Sequence, residues 1–265
     1  VSGDVVLVEG TATVPVLRLN RPAALGALNA EVLTRLDQTF ADLGTRSSTR
    51  AVVLTGTGEK AFSAGADLDE LAGLDTAAAH DVLARGQAVL RRIELCPVPV
   101  IAAVNGLALG GGFELVLATT FPVLAERATL GLPEAGLGLM PGYGGTQRLV
   151  RAIGPQSAVH VMLTGTRLTA ARAFQLGLTP VEPVPADALL DTALGLAETV
   201  AARGPRAVRS ILTAVRAAGD LPLDRGLELE SALAAMATGG AEAAEGVAAF
   251  RQRRTPDFSG TGEGP

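Results

Sequence analysis

Apolar residues recur along the chain with two different periods, and the switch between them marks out the elements. Val5 to Glu9 and Val14 to Leu19 are rich in β-branched residues. A short stretch starting at Gly10 separates them, so they read as a pair of strands, the second ended by Asn20-Arg21-Pro22. From about Ala30 to Leu43 the period becomes helical, with Val32, Leu33, Leu36, Phe40 and Leu43 on one face and Asn29 placed as a cap. Ala51 to Leu54 and Val100 to Val104 are short continuous apolar runs, the pattern of strands buried on both faces. Between them lie a small-residue loop, Ala61 to Asp67, and a helical stretch from about Ala77 to Glu94. Asn105-Gly106 ends the second run, and Gly110-Gly111-Gly112 leads into a helix from Phe113 to about Ala118. From Pro155 onward the chain reads as mostly helical, punctuated by Gly204-Pro205, Gly219-Asp220 and Gly239-Gly240. Strand–helix alternation followed by helices predicts an α/β core with a helical C-terminal region, without a visible internal repeat. Ser259 to Pro265 reads as a disordered tail.

Composition narrows the function. A chain of 265 residues buries roughly three-quarters of its unfolded surface and needs no covalent staple. The single cysteine, Cys96, forbids an intramolecular disulfide and fits a reducing, cytoplasmic compartment. With His80 and His160 the only histidines, a Cys/His zinc site cannot be assembled within one chain, and no metal is expected. A net charge of −5 without a basic stripe argues against a nucleic-acid partner. No apolar run reaches the roughly 18 to 20 residues of a membrane span, and Val1-Ser2-Gly3-Asp4 shows no secretory signal.

Three segments carry candidate chemistry. In Gly110-Gly111-Gly112-Phe113-Glu114, glycines permit close approach to a ligand. A helix starting there offers unpaired N–H groups at the positive end of its dipole, suited to an oxyanion. Glu114 falls three residues after Gly111, on the same helical face. Phe62-Ser63-Ala64-Gly65-Ala66-Asp67 follows a buried strand with accessible N–H groups, and Leu132-Pro133-Glu134 precedes the glycine-rich run Gly138 to Gly145. Taken singly, each reads as well as a tight turn, a bland loop or a surface acid in a loop.

Together they resemble the enoyl-CoA hydratase/isomerase (crotonase) superfamily. The resemblance rests on Ala61-Phe62-Ser63-Ala64-Gly65-Ala66-Asp67-Leu68, on Ala102 to Gly112 and on Pro141-Gly142-Tyr143-Gly144-Gly145-Thr146-Gln147-Arg148-Leu149. Weaker matches are Leu19 to Pro22, Leu163-Thr164-Gly165 and Phe250 to Phe258. The resemblance implies a spiral of repeated ββα units over 1–200 holding the site, helices over 201–258 that form a trimer or a dimer of trimers, and the tail 259–265. It implies an oxyanion hole from the N–H groups of Ala66 and Gly111, and catalytic carboxyls at Glu114 and Glu134; hydration needs a base for the water and a proton donor for C2, and Glu114 is assigned the first task and Glu134 the second. CoA contacts would come from Ala24, Ala64, Ala66, Asp67, Leu68 and Gly111. No separate cofactor is implied, because coenzyme A arrives as part of the acyl-CoA substrate.

The retention of both glutamates favours hydration of a trans-2-enoyl-CoA over double-bond isomerisation, thioester hydrolysis or C–C cleavage. A non-catalytic RNA-binding member fits the acidic balance poorly. A serine protease lacks a Gly-x-Ser-x-Gly motif, and Lys60 lacks the glycine-rich lead of a P-loop. Leu68, Leu71, Met140 and Tyr143 are candidate pocket walls. Departures from the family pattern are Ala23 in place of a basic residue, Thr119-Thr120 after the Glu114 helix, Thr179 and Arg253.

Overall fold

The computed structural model describes residues 4–259. The antiparallel pair β1 (Val6–Gly10) and β2 (Pro15–Leu19) opens the chain, as the alternation predicts. Helix α1 (Ala30–Thr45) starts where expected, with the Asn29 side chain accepting from the Val32 N–H at 3.0 Å. Three turns of a spiral follow, each using two strands. β3 (Val52–Gly56) leads into β4 (Ala61–Ser63), then α2 (Leu68–Leu71) and α3 (Thr76–Glu94). β5 (Val100–Val104) leads into β6 (Leu107–Leu109) and α4 (Gly111–Leu117). β7 (Phe121–Leu124) leads into β8 (Thr129–Gly131), a 3-10 turn over Glu134–Leu137, then α5 (Gly145–Ile153) and α6 (Pro155–Thr164).

The first strand of every turn joins one sheet, of order β1-β2-β3-β5-β7, and the second joins another, β4-β6-β8-β9, where β9 is Leu168–Thr169. Pairing between successive turns is parallel in both sheets. β3 and β5 are buried along their whole length, which is why they read as unbroken apolar runs. The remaining helices are α7 (Ala170–Gln175), α8 (Leu189–Ala201), α9 (Pro205–Ala217), α10 (Leu223–Thr238) and α11 (Ala241–Gln252). Helix α8 packs across β3, β5 and β7, whereas α9 packs on α10 and α10 on α11.

Asn105 ties the turns together. Its buried side chain accepts from the Gly56 N–H at 3.1 Å and donates to the carbonyls of Gly58 and Ala61 at 2.8 and 3.0 Å. Its own carbonyl accepts from the Arg127 guanidinium at 3.0 Å. One side chain so satisfies the backbone where β3 passes to β4, a place where an unpaired buried group would cost about 1–3 kcal/mol.

Four expectations need correction or completion. Ala61 to Asp67 is not wholly loop, since its first three residues form β4, paired with β6. Strands β6 to β9 have two to four residues each, too few to show a period. Thr120 meets β5 directly, its hydroxyl accepting from the Val100 N–H at 3.0 Å. Thr179 is buried and donates its hydroxyl to the Pro122 carbonyl at 2.7 Å. The proposed tail lies outside the described residues beyond Ser259, as do 1–3.

Candidate active site

The spiral delivers three backbone segments to one place. At the end of β6 the chain must turn sharply into α4, and Gly110 does this at φ 49°, ψ −127°, a conformation that side chains avoid. Gly111 is then the first helical residue. Its N–H has no i−4 partner within the helix, and none among the described residues is recorded for it.

The second segment leaves β4. The Leu28 N–H donates to the Gly65 carbonyl at 2.8 Å, and the Asp67 N–H donates to the Leu28 carbonyl at 3.1 Å. This parallel bridge holds Gly65 and Asp67 toward Leu28, so the N–H of the residue between them, Ala66, points to the opposite side. The two free N–H groups are neighbours: a Cβ placed on Gly111 would sit 3.1 Å from the Ala66 nitrogen, and one on Gly65 would sit 3.3 Å from the Gly111 nitrogen.

Glu114 lies one turn into α4 and is 2% exposed. Its Oε1 accepts from the Tyr143 N–H at 2.8 Å and the Gly145 N–H at 2.6 Å. Burial pushes its carboxyl up to about 7; the Gly145 and Tyr143 N–H groups hold it down, and the nearby charge of Glu134 adds to the rise. Glu134 begins the 3-10 turn, half-buried, with Oε1 close to Gly110 and Oε2 buried without a hydrogen-bond partner. Burial raises its pKa as well.

These groups line a cavity of about 120 Å³ together with Ala64, Leu68, Leu71, Met140 and Tyr143. All four side chains expected as pocket walls are thus present. Two expected contacts stand outside the cavity wall. Ala24 belongs to a 3-10 turn next to it, where the Leu25 carbonyl accepts from the Ala64 N–H at 2.9 Å. Asp67 turns its carboxylate to Arg21 at 2.8 Å and caps α2. The sequence reading missed that the glycine-rich run after Glu134 supplies the two N–H donors to Glu114. It also missed Leu83, Leu109, Leu137 and Leu139 in the wall. The helical period of α3 carried a signal for Leu83. His80 and His160 lie exposed on α3 and α6, away from this cavity.

The family model described as enoyl-CoA hydratase/isomerase matches residues 9–261. The chain belongs to the enoyl-CoA hydratase/isomerase family. Among its relatives is a 2,3-dehydroadipyl-CoA hydratase of Escherichia coli, 42% identical over 92% of this chain and 94% of the relative. Another is a crotonyl-CoA hydratase of Syntrophomonas wolfei, 35% identical over 96% and 97%. The crystal structure of an enoyl-CoA hydratase from Bacillus anthracis superposes with a TM-score of 0.93 at 38% identity, covering 97% of this chain and 99% of that one. The two-sheet spiral and the C-terminal helices are therefore the family's mixed α/β fold. Among the described residues, no helix is long and apolar enough to cross a membrane.

Proposed function

We propose that this protein is an enoyl-CoA hydratase, adding water across the 2,3 double bond of a trans-2-enoyl-CoA to give a 3-hydroxyacyl-CoA. The observation that carries the reading is the meeting of two carboxyl groups and two unpaired N–H groups on one small cavity. The thioester oxygen accepts from the Ala66 and Gly111 N–H groups. As the water oxygen bonds to C3, the double-bond electrons move toward that oxygen, and the developing enolate is held by both donors, each typically worth ~10²–10³ in rate.

The surroundings act on both acids. Burial raises both carboxyls above the ordinary carboxylate range, Glu114 to about 7. Two N–H donors hold Glu114 Oε1 in place, and Glu134 Oε2 meets no hydrogen-bond partner. In this reading Glu114 is the base that takes a proton from water, and Glu134 gives its proton to C2. After product leaves, exchange with solvent returns the proton to Glu134. An isomerase needs only one carboxyl to shuttle a proton between carbons, so the pair favours hydration.

A panel of 2-enoyl-CoA thioesters, read by loss of enoyl absorbance, tests the assignment. Water addition supports it; unchanged enoyl thioesters, or a shifted double bond without hydration, reject it.

We also propose that the chain assembles as a trimer or a dimer of trimers through its C-terminal helices. Helices α9 and α10 bury none of their residues within the protomer, and Ile211, Val215, Leu223, Met236 and Phe250 are exposed. Light scattering showing only monomer at micromolar concentration would reject this. The lone thiol of Cys96 supports placement in the cytoplasm, which cell fractionation reads.

A further inference from the structure

The cavity that receives the acyl group is small. At about 120 Å³ it falls well below the ~300–1,000 Å³ of sites that take drug-sized ligands. One of its walls is an aromatic ring. The Tyr143 side chain is 2% exposed and spans the space between the start of α4 and the middle of α3. On one side, a Cβ on Gly111 would sit 3.0 Å from ring atom Cδ2. On the other, a Cβ on Gly86 would sit 2.1 Å from Cε1, so any residue but glycine there displaces the ring.

Gly86 is otherwise an odd choice. It lies inside the 19-residue helix α3, where glycine costs about 1 kcal/mol relative to alanine. The ring occupies the place of the missing side chain. Beyond it lies a second cavity of about 600 Å³, lined by Arg91, Arg148, Arg151 and Arg216 with Glu94 and Asp220. Tyr143 lines both cavities. On α3, Leu83 faces the first, while Ala84, Gln87 and Ala88 face the second. Tyr143 seated on Gly86 is therefore the partition between an apolar pocket and a polar, arginine-lined one.

We propose that the Tyr143 ring, seated on Gly86, is the stop of the acyl pocket and restricts the enzyme to short acyl chains. The inference rests on the hydratase reading, because it takes the thioester as fixed at Ala66 and Gly111. The ring lies against Gly111 itself, so a chain held there has little length to run before meeting it. A longer chain would have to displace the ring or enter the arginine-lined space, where its methylenes find few apolar partners.

The test compares crotonyl-CoA with 2-octenoyl-CoA in the wild type, Tyr143→Ala and Tyr143→Leu. The octenoyl-to-crotonyl ratio of kcat/KM should be low in the wild type and rise at least ~10-fold in both variants, the scale set by a methylene or more in an apolar pocket. Tyr143→Phe keeps the ring and should keep the ratio. Calorimetric binding of butyryl-CoA and octanoyl-CoA reads the same ratio without chemistry. An unchanged ratio in kinetics or binding for whichever smaller variant folds overturns the proposal. A wild type that hydrates neither thioester refutes the hydratase reading instead, and the binding ratio still decides the stop.

Discussion

The two carboxylates of the site sit on walls built in opposite ways. Glu114 is carried by α4, whose first six residues are buried, and its Oε1 is held by two backbone N–H groups. Glu134 is carried by a 3-10 turn with no buried residues, followed by exposed Leu137, Leu139 and Met140. Its Oε2 is enclosed but unpaired. One acid is thus part of the structure that surrounds it, while the other is an enclosed group that the fold leaves unsatisfied. Such a pair separates two tasks. A fixed, hydrogen-bonded carboxylate suits proton removal at a defined point, and an unsatisfied carboxyl suits a group that must give its proton away.

The largest effect expected is on the rate. Glu114→Gln and Glu134→Gln keep size and remove the ionisable group, and each should lower kcat for crotonyl-CoA hydration by at least ~10². KM should change little, because the thioester keeps both N–H donors. Loss of activity in one variant alone would break the two-carboxyl assignment and point to a single-base isomerase. Circular dichroism on both variants confirms that they fold.

Truncation should then separate the walls by stability. Glu114→Ala strips the Tyr143 and Gly145 N–H groups of their acceptor inside the protein and should cost ~2–5 kcal/mol in denaturant unfolding. Glu134→Ala removes a partnerless oxygen and should leave stability within about 1 kcal/mol of the wild type, or raise it. Equal destabilisation by both would show that the walls are not built differently.

The third effect is in pH dependence. The Glu114 carboxyl is raised in the folded protein to about 7, from about 4.3 unfolded. Between those values the folded state binds more protons than the unfolded one. Stability therefore falls as pH rises through that window and levels off above it, by at most about 4 kcal/mol from this group. Glu114→Gln should flatten this slope. A slope of the same size in that variant would mean that Glu114 is not its source.

Legibility in the sequence followed element length. Strands β3 and β5 and helices α1 and α3 announced themselves because burial on both faces, or an apolar stripe, leaves a pattern over five residues or more. The second strand of each turn left none: Leu107–Leu109 and Thr129–Gly131 are three residues each. The spiral's repetition was hidden as well, because the helices following the strand pairs range from 4 to 19 residues. Ala64, Ala66, Gly111, Glu114 and Glu134 were legible through resemblance and do converge on one cavity. Asp67 was not legible as a structural acid, since its partner Arg21 lies 46 positions away. The donors to Glu114 were hidden for a similar reason, because they are backbone groups 29 and 31 positions away and any residue but proline carries one.

That last property has a consequence for how such a protein diverges. Position 143 meets the candidate site twice, through its amide, which holds Glu114, and through its ring, which bounds the cavity. The amide is common to every amino acid except proline, whereas the ring belongs to tyrosine. Mutation at this codon can therefore exchange the side chain while the hydrogen bond to Glu114 stays in place. A lineage drifting toward different substrates would have a route here that leaves the acid–base machinery intact, closed only where the new codon reads proline.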